Sequence, residues 1–245
     1  MKNFEEKIIS HLKKEDVNGI LLTGSYATQT QTENSDIDIR IIFNNDIKHT
    51  IKGIKYIEGY KVSYFGENIN MVKKRMSMDF SRNSRFEARL FTLGKILYDK
   101  NGCVEELVQY AKIFMENTFQ KKLTHDDIIL KMYSLHVRHQ SLVHTSVSDP
   151  MYVYNYISLM KAILSAYSLI LNYETVIDIK PVKILSDSYY RERNLWQGFP
   201  DPIFIELWIK SITEITPMNM EIIYKYLQTK TLVIEEKDFE VVYRH

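Results

Sequence analysis

The spacing of apolar residues along the chain changes period near residue 100. Phe4, Ile8, Ile9 and Leu12 recur at helical spacing and predict a helix over 4–14. Short apolar or alternating runs then predict strands over 19–23, 36–43, 54–57, 60–65 and 95–98, with Glu58-Gly59 as a hairpin turn. Helical spacing returns over 69–78 and 84–93. Beyond residue 101 it dominates, predicting long helices over 104–118, 125–144, 152–171 and 203–215. Asp149-Pro150, Asp201-Pro202 and Thr216-Pro217 each set a capping side chain before a proline, the signature of a helix start. The last opens a helix over 218–229. The closing runs at 232–234 and 239–243 read as a hairpin, or as one strand and a tail.

These elements describe an α+β chain. A small mixed sheet with helices occupies residues 1–100, and an α-helical bundle occupies 101–245. The boundary falls at the polar turn 100–102. A hydrophobic content of 45% and a charged content of 26% are those of a soluble globular protein. With 8 glycines and 5 prolines in 245 residues, a long flexible linker is not expected. The net charge of +1 argues against nucleic acid as the partner, since tracking a phosphate backbone calls for a basic surface. Cys103 is the only cysteine, which excludes an intramolecular disulfide and a cysteine-based zinc site. Residues 1–7 hold no apolar signal core, and no apolar run is long enough to span a bilayer. The expected location is the cytoplasm, with no membrane association.

The candidate chemistry lies between residues 24 and 38. Gly24-Ser25 is a turn after a strand, and Asp36 and Asp38 lie at the start of the next strand. Alternation puts Asp36, Asp38 and Arg40 on one face and Ile37, Ile39 and Ile41 on the other. The isoleucines can enter the core while two carboxylates point outward together. Such a pair repels itself and calls for a counter-charge. Mg2+ suits it, because it takes one or two carboxylates and completes its shell with phosphate oxygens and water. Glycine lets a phosphate approach the backbone, and a helix starting near Ser25 offers free N–H groups to an anion. Ser25 serves as a phosphate contact, a helix cap, or both. Arg40 reaches phosphate or neutralises the aspartates.

The segment 24–38 resembles the signature of the polymerase-β-type nucleotidyltransferase superfamily. More narrowly, it is similar to the small bacterial nucleotidyltransferases that include aminoglycoside- and lincosamide-modifying enzymes. Similarity extends through 58–65 and 94–99; beyond residue 100 it is only architectural. The resemblance implies that Gly24 and Ser25 hold a nucleoside triphosphate, ATP or another, and that Asp36 and Asp38 bind Mg2+ and act in catalysis. It implies transfer of AMP to a hydroxyl of a small molecule, such as an antibiotic, with the helical domain binding the acceptor. Related small enzymes often build the cleft across a dimer, so a homodimer is a candidate assembly. Two departures stand out. Thr28 and Gln29 follow Ala27 where the family often has a small or basic residue and a glycine. Ser63 stands where a third carboxylate normally completes the site, and serine is neither a base near neutral pH nor a good metal ligand. Glu58 or Glu67 substitutes for it, or the chemistry runs without it. Otherwise the chain is a catalytically impaired nucleotide-binding protein or an antitoxin-like, protein-modifying nucleotidyltransferase.

Other residues carry weaker signals. Arg82, Arg85 and Arg89 follow one another at helical spacing. They clamp a triphosphate or, for at least two of them, form a solvated helix face. His136, His139 and His144 share one predicted helix with Arg138. Arg138 and His144 have the arginine–spacer–histidine form of HEPN-type RNA-cleaving domains, but histidines on a polar helix face are the expected outcome. The tyrosines of the second half, among them Tyr152, Tyr154 and Tyr156, divide between core and pocket. Asp149, Glu174, Asp187 and Glu192 are candidates for attracting a cationic acceptor, though charged surface residues are the commoner explanation.

Overall fold

The computed structural model describes residues 2–120, 122–176, 180–234 and 240. In order, the elements are α1 (Lys2–Leu12), β1 (Val17–Thr23), α2 (Gly24–Thr28), β2 (Ile37–Phe43), β3 (Ile51–Ile57), β4 (Tyr60–Asn68), α3 (Ile69–Ser81), α4 (Phe86–Leu93), β5 (Lys95–Asp99) and α5 (Cys103–Glu116). Then follow α6 (His125–Val143), α7 (Tyr152–Ile170), α8 (Pro181–Ser186), α9 (Ser188–Arg193), α10 (Pro202–Thr213) and α11 (Pro217–Lys230). They form two compact units, one of Met1–Phe119 with Tyr189–Trp196, the other of Gln120–Ser188 with Gln197–His245. The fold is α+β, as its sequence periods imply. No helix among the described residues is long and apolar enough to cross a membrane.

The first unit is built on a five-stranded mixed sheet in the order β3-β4-β2-β1-β5. β2 and β4 run parallel, while β1–β2, β1–β5 and β3–β4 are antiparallel. Alternation sorts each strand onto two faces. Ile20, Leu22, Ile39, Ile41 and Val62 pack with Ile8 and Leu12 of α1. Leu21 and Ile42 face the other way and pack with Val72, Met76, Phe91, Val104 and Leu107 of α3, α4 and α5. Glu58 and Gly59 both have positive φ, 51° and 83°, and close the β3–β4 hairpin as a two-residue turn. α3 starts at Asn68, whose side chain accepts from Met71 N.

The second unit packs α6, α7, α10 and α11 around Met132, Tyr156, Met160, Ile163, Phe204, Trp208, Ile223 and Leu227. Buried polar tips find backbone partners: Trp208 Nε1 donates to Met160 O at 2.8 Å and Tyr156 Oη to Ser211 O at 2.9 Å. Asp201 and Thr216 cap α10 and α11 with proline in the first turn, as their sequence signature predicts. Asp149-Pro150 behaves differently. Asp149 Oδ1 accepts from Met151 N at 2.7 Å in a turn, and α7 begins at Tyr152 without a side-chain cap. The second run of the expected C-terminal hairpin, 239–243, lies outside the described residues apart from Glu240. The first, 232–234, carries no strand.

Candidate active site

β1 delivers the chain to Gly24 at one end of the sheet, and β2 begins at that same end, with Thr23 opposite Asp38. Thr23 Oγ1 donates to Asp38 O at 3.3 Å and does not cap α2, whose first turn has no side-chain cap. Gly24 has φ +65°, and a Cβ built on it would lie 2.1 Å from Asp38 Oδ2 and 2.9 Å from its Cγ. No side chain fits there. The Gly-Ser turn and the second aspartate of the Asp-x-Asp pair therefore lie against each other, and only glycine permits it. α2 itself is a single short turn that ends at Gln29, in left-handed conformation at φ 58°.

The two aspartates differ in setting. Asp36 precedes the strand, its side chain 37% exposed, with Lys61 Nζ of β4 at 3.8 Å from Oδ2. Asp38 is half-buried beside Gly24. The parallel register sets Asp38 opposite Ser63, so the serine stands beside the carboxylate on the neighbouring strand. Glu58 forms an ion pair with Lys7 of α1 at 2.8 Å. Glu67 is four residues beyond Ser63, opposite Ile42, and 1% exposed. It accepts from Arg75 Nε at 2.9 Å, Arg75 Nη2 at 2.5 Å and Thr50 Oγ1 at 2.8 Å. Neither glutamate therefore stands at the position of Ser63.

An ionic layer lies below the rim. Arg40, one pleat below Asp38, donates from Nη2 to Glu87 Oε2 of α4 at 2.8 Å and lies over the Phe65 ring at 4.6 Å. Arg75 of α3 lies 5.0 Å from the same ring. Burial pushes the Glu87 carboxyl above its ordinary value, with the Arg40 and Arg75 charges opposing, and its Oε1 is buried without a partner. Burial also pushes Glu67 up, but its hydrogen bonds from Arg75 and Thr50 and the Arg75 and Arg40 charges outweigh it, so its carboxyl lies below 4.5. The strand thus passes from partly exposed carboxylates through a charged layer to an apolar core.

Several residues occupy places that periodicity alone did not predict. Arg85 and Arg89 do not form a solvated face: they are 8% and 6% exposed. Arg85 donates to Phe114 O at 2.9 Å and Asn117 O at 2.7 Å and stacks over Phe119, while Arg89 lies 3.8 Å over the Trp196 ring. Only Arg82 stays exposed, at the end of α3. The histidines of α6 divide similarly. His136 and His139 are buried, His139 bonded to Glu221 at 2.7 Å and stacked on Tyr224, whereas His144 is exposed at the helix end. Arg138 donates to Ser158 of α7 at 3.1 Å. Glu87 and Arg193 were missed. Arg193 Nη2 donates to Gln29 Oε1 at the end of α2.

Two carboxylates, a serine hydroxyl and a backbone cradle that a Cβ would fill form a hard, oxygen-only donor set. Its chemistry fits Mg2+, which Asp36 and Asp38 would hold, leaving room for the phosphate oxygens and water that this cation prefers. Among the described residues no group of three His, Cys, Asp or Glu side chains could hold a metal by itself.

The Polymerase beta, Nucleotidyltransferase family model matches residues 6–102. No curated protein matches the sequence. Among solved structures, the chain is similar to a nucleotidyltransferase-like protein from Exiguobacterium sibiricum 255-15. The two are 13% identical, with 94% of this chain and 75% of that one covered at a TM-score of 0.45. Residues 6–102 span β1 to β5, the Gly-Ser turn and the aspartate pair, and this segment belongs to the polymerase-β-type nucleotidyltransferase superfamily.

Proposed function

We propose that the chain transfers a nucleoside monophosphate, AMP from ATP, to a hydroxyl of a small molecule in the presence of Mg2+. The observation that carries this reading is the contact between Gly24 and the Asp38 carboxylate, which sets the turn expected to seat phosphates against the group expected to hold the cation. The triphosphate lies over Gly24 and Ser25, and Asp36 and Asp38 hold Mg2+. When bound, Mg2+ offsets the charge that grows on the leaving pyrophosphate. The acceptor oxygen attacks the α-phosphorus, and the bond from that phosphorus to the bridging oxygen breaks. Pyrophosphate departs and the hydroxyl proton passes to solvent. Arg40, held by Glu87 and Phe65, fixes the strand beneath Asp38. The test is Mg2+-dependent pyrophosphate release from ATP with a panel of hydroxylated antibiotics. Asp38→Ala abolishes it; unchanged turnover rejects the site.

Ser63 opposite Asp38 favours a second reading, in which the domain binds nucleotide but turns it over poorly, or modifies a protein partner as an antitoxin-like enzyme. In that case wild-type protein binds Mg2+–ATP with little turnover, and Ser63→Asp gains it. Labelling of a partner protein by radioactive ATP identifies the protein-modifying form.

A further inference from the structure

The carboxylate end of the sheet continues sideways into the edge strand. Asp38 is opposite Ser63 on β4, and Ser63 is opposite Ile54 on β3. One pleat nearer the rim, Lys61 is opposite Tyr56. Residues opposite one another share a face, so Ile54 and Tyr56 present their side chains on the face of Asp38. The intervening residues confirm the alternation: Lys55 Nζ reaches His11 O of α1, and Ile57 is 1% exposed in the α1 core. Ile54 and Tyr56 are 55% and 74% exposed. α3, α4 and α5 cover this face farther down, at Leu21 and Ile42. An apolar shelf thus adjoins the aspartates, on an edge strand where charged residues are the usual guard.

The strand order gives the shelf its role, provided that the triphosphate lies over Gly24 as in the proposed function. In-line displacement sets the attacking oxygen across the α-phosphorus from the leaving pyrophosphate. With pyrophosphate on the β1 side of β2, the attacking hydroxyl arrives from the side of β4 and β3. Ser63 lies under it and the body of the acceptor lies over Ile54 and Tyr56. On the face of Asp38 these two strands carry a buried Glu67, bonded to Arg75, and two exposed lysines: Lys61, beside Asp36, and Lys52, opposite Phe65. They disfavour a polycation and tolerate a neutral or anionic molecule. We propose that Ile54 and Tyr56 form the acceptor platform, taking a hydroxyl-bearing molecule with a flat apolar face and no positive charge. The shelf thus narrows the acceptor class and disfavours an aminoglycoside.

The probes are 4-nitrophenyl glucoside, 4-nitrophenyl glucuronide and kanamycin, which are neutral, anionic and polycationic. In the Tyr56→Trp protein with ATP and Mg2+ present, both nitrophenyl probes quench the introduced indole and kanamycin does not. In transfer assays Tyr56→Ala raises the acceptor KM roughly tenfold and leaves the ATP KM in place, while Tyr56→Phe restores the acceptor KM. A rise in the ATP KM would make the shelf a seat for the base and overturn the proposal. Absence of quenching by either aryl probe, or preference for kanamycin, also overturns it. If Asp38→Ala abolishes transfer while the Tyr56 variants match wild type, the platform fails alone. If Asp38→Ala leaves ATP binding and transfer unchanged, the proposed function fails and the platform with it.

Discussion

A methyl group on Gly24 tests the closest contact in the candidate site. Two costs arise, and they can be separated. Gly24 sits at φ +65°, where an L-residue costs about 1–2 kcal/mol, partly offset by about 0.4–1 kcal/mol from a stiffer unfolded chain. The new Cβ would also lie 2.1 Å from Asp38 Oδ2, so the carboxylate must retreat by about 1 Å. Forcing Asp38 off its rotamer adds about 0.5–1.5 kcal/mol, for a total loss near 2 kcal/mol. Gly102 supplies the control, because its φ is +72° and nothing lies within 4 Å of its added Cβ. Gly102→Ala therefore shows the backbone cost alone, about 1 kcal/mol. Denaturant unfolding measures both variants. In turnover the two should separate further. A misplacement of about 1 Å at a reacting centre costs on the order of a hundredfold, so Gly24→Ala loses that much in kcat/KM while Gly102→Ala stays near wild type. Equal effects of the two substitutions on stability and turnover would refute the contact and, with it, the site.

The remaining predictions concern the framework. Glu67→Gln leaves Arg75 without its carboxylate and costs about 2 kcal/mol at neutral pH, less than the ~3–5 kcal/mol of a fully buried pair because the Arg75 side chain is 43% exposed. The Glu67 carboxyl lies below its ordinary value of 4.5 in the folded chain, so its contribution is complete above that pH and is lost as pH falls through the lowered value. The gap between wild type and Glu67→Gln in urea unfolding thus narrows as the pH is lowered into the acid range below the ordinary carboxylate value; a pH-independent gap contradicts the pairing. Asp201 caps α10 at Phe204 N and accepts from Tyr167 and Tyr226. Asp201→Ala costs about 2–4 kcal/mol, and Asp201→Asn, which still caps, recovers part of it; equal losses refute the capping role.

Most of the first unit was legible because its strands bury one face against α1. Alternation at the start of β2 reflects that packing, β1 shows instead as an apolar run because both its faces are buried, and the Glu58-Gly59 turn fixes the register that brings Ser63 opposite Ile54. The extensions of β3 back to Ile51 and of β4 on to Asn68 were not legible. Lys52, Gly53, Gly66 and Glu67 carry no apolar pattern, and it is pairing with the neighbouring strand that holds them extended. α8 and α9 span six residues each, too few for a period to show. The Gly24–Asp38 contact follows from the antiparallel pairing of β1 and β2, whose connection runs through α2 and residues 29–36; order and spacing placed the turn and the aspartates on successive elements, but the pairing that brings them together was not legible.

The polar residues of the helices were the harder part, because a charged side chain is buried only where a specific partner exists, and the partners lie far along the chain. Arg85 is buried by carbonyls of Phe114 and Asn117, and Arg89 by the ring of Trp196. No local pattern announces them. A weaker signal did exist. Met132, Leu135, His136, His139 and Leu142 fall on one helical stripe, and Glu87, Ala88 and Phe91 on another. A polar residue inside an apolar stripe points inward by period alone. Such residues require a counter-group, which here is Glu221 for His139 and Arg40 for Glu87. Glu87 ties the helix layer to the strand carrying Asp38. The requirement to neutralise one buried carboxylate is therefore also what holds the floor of the candidate site.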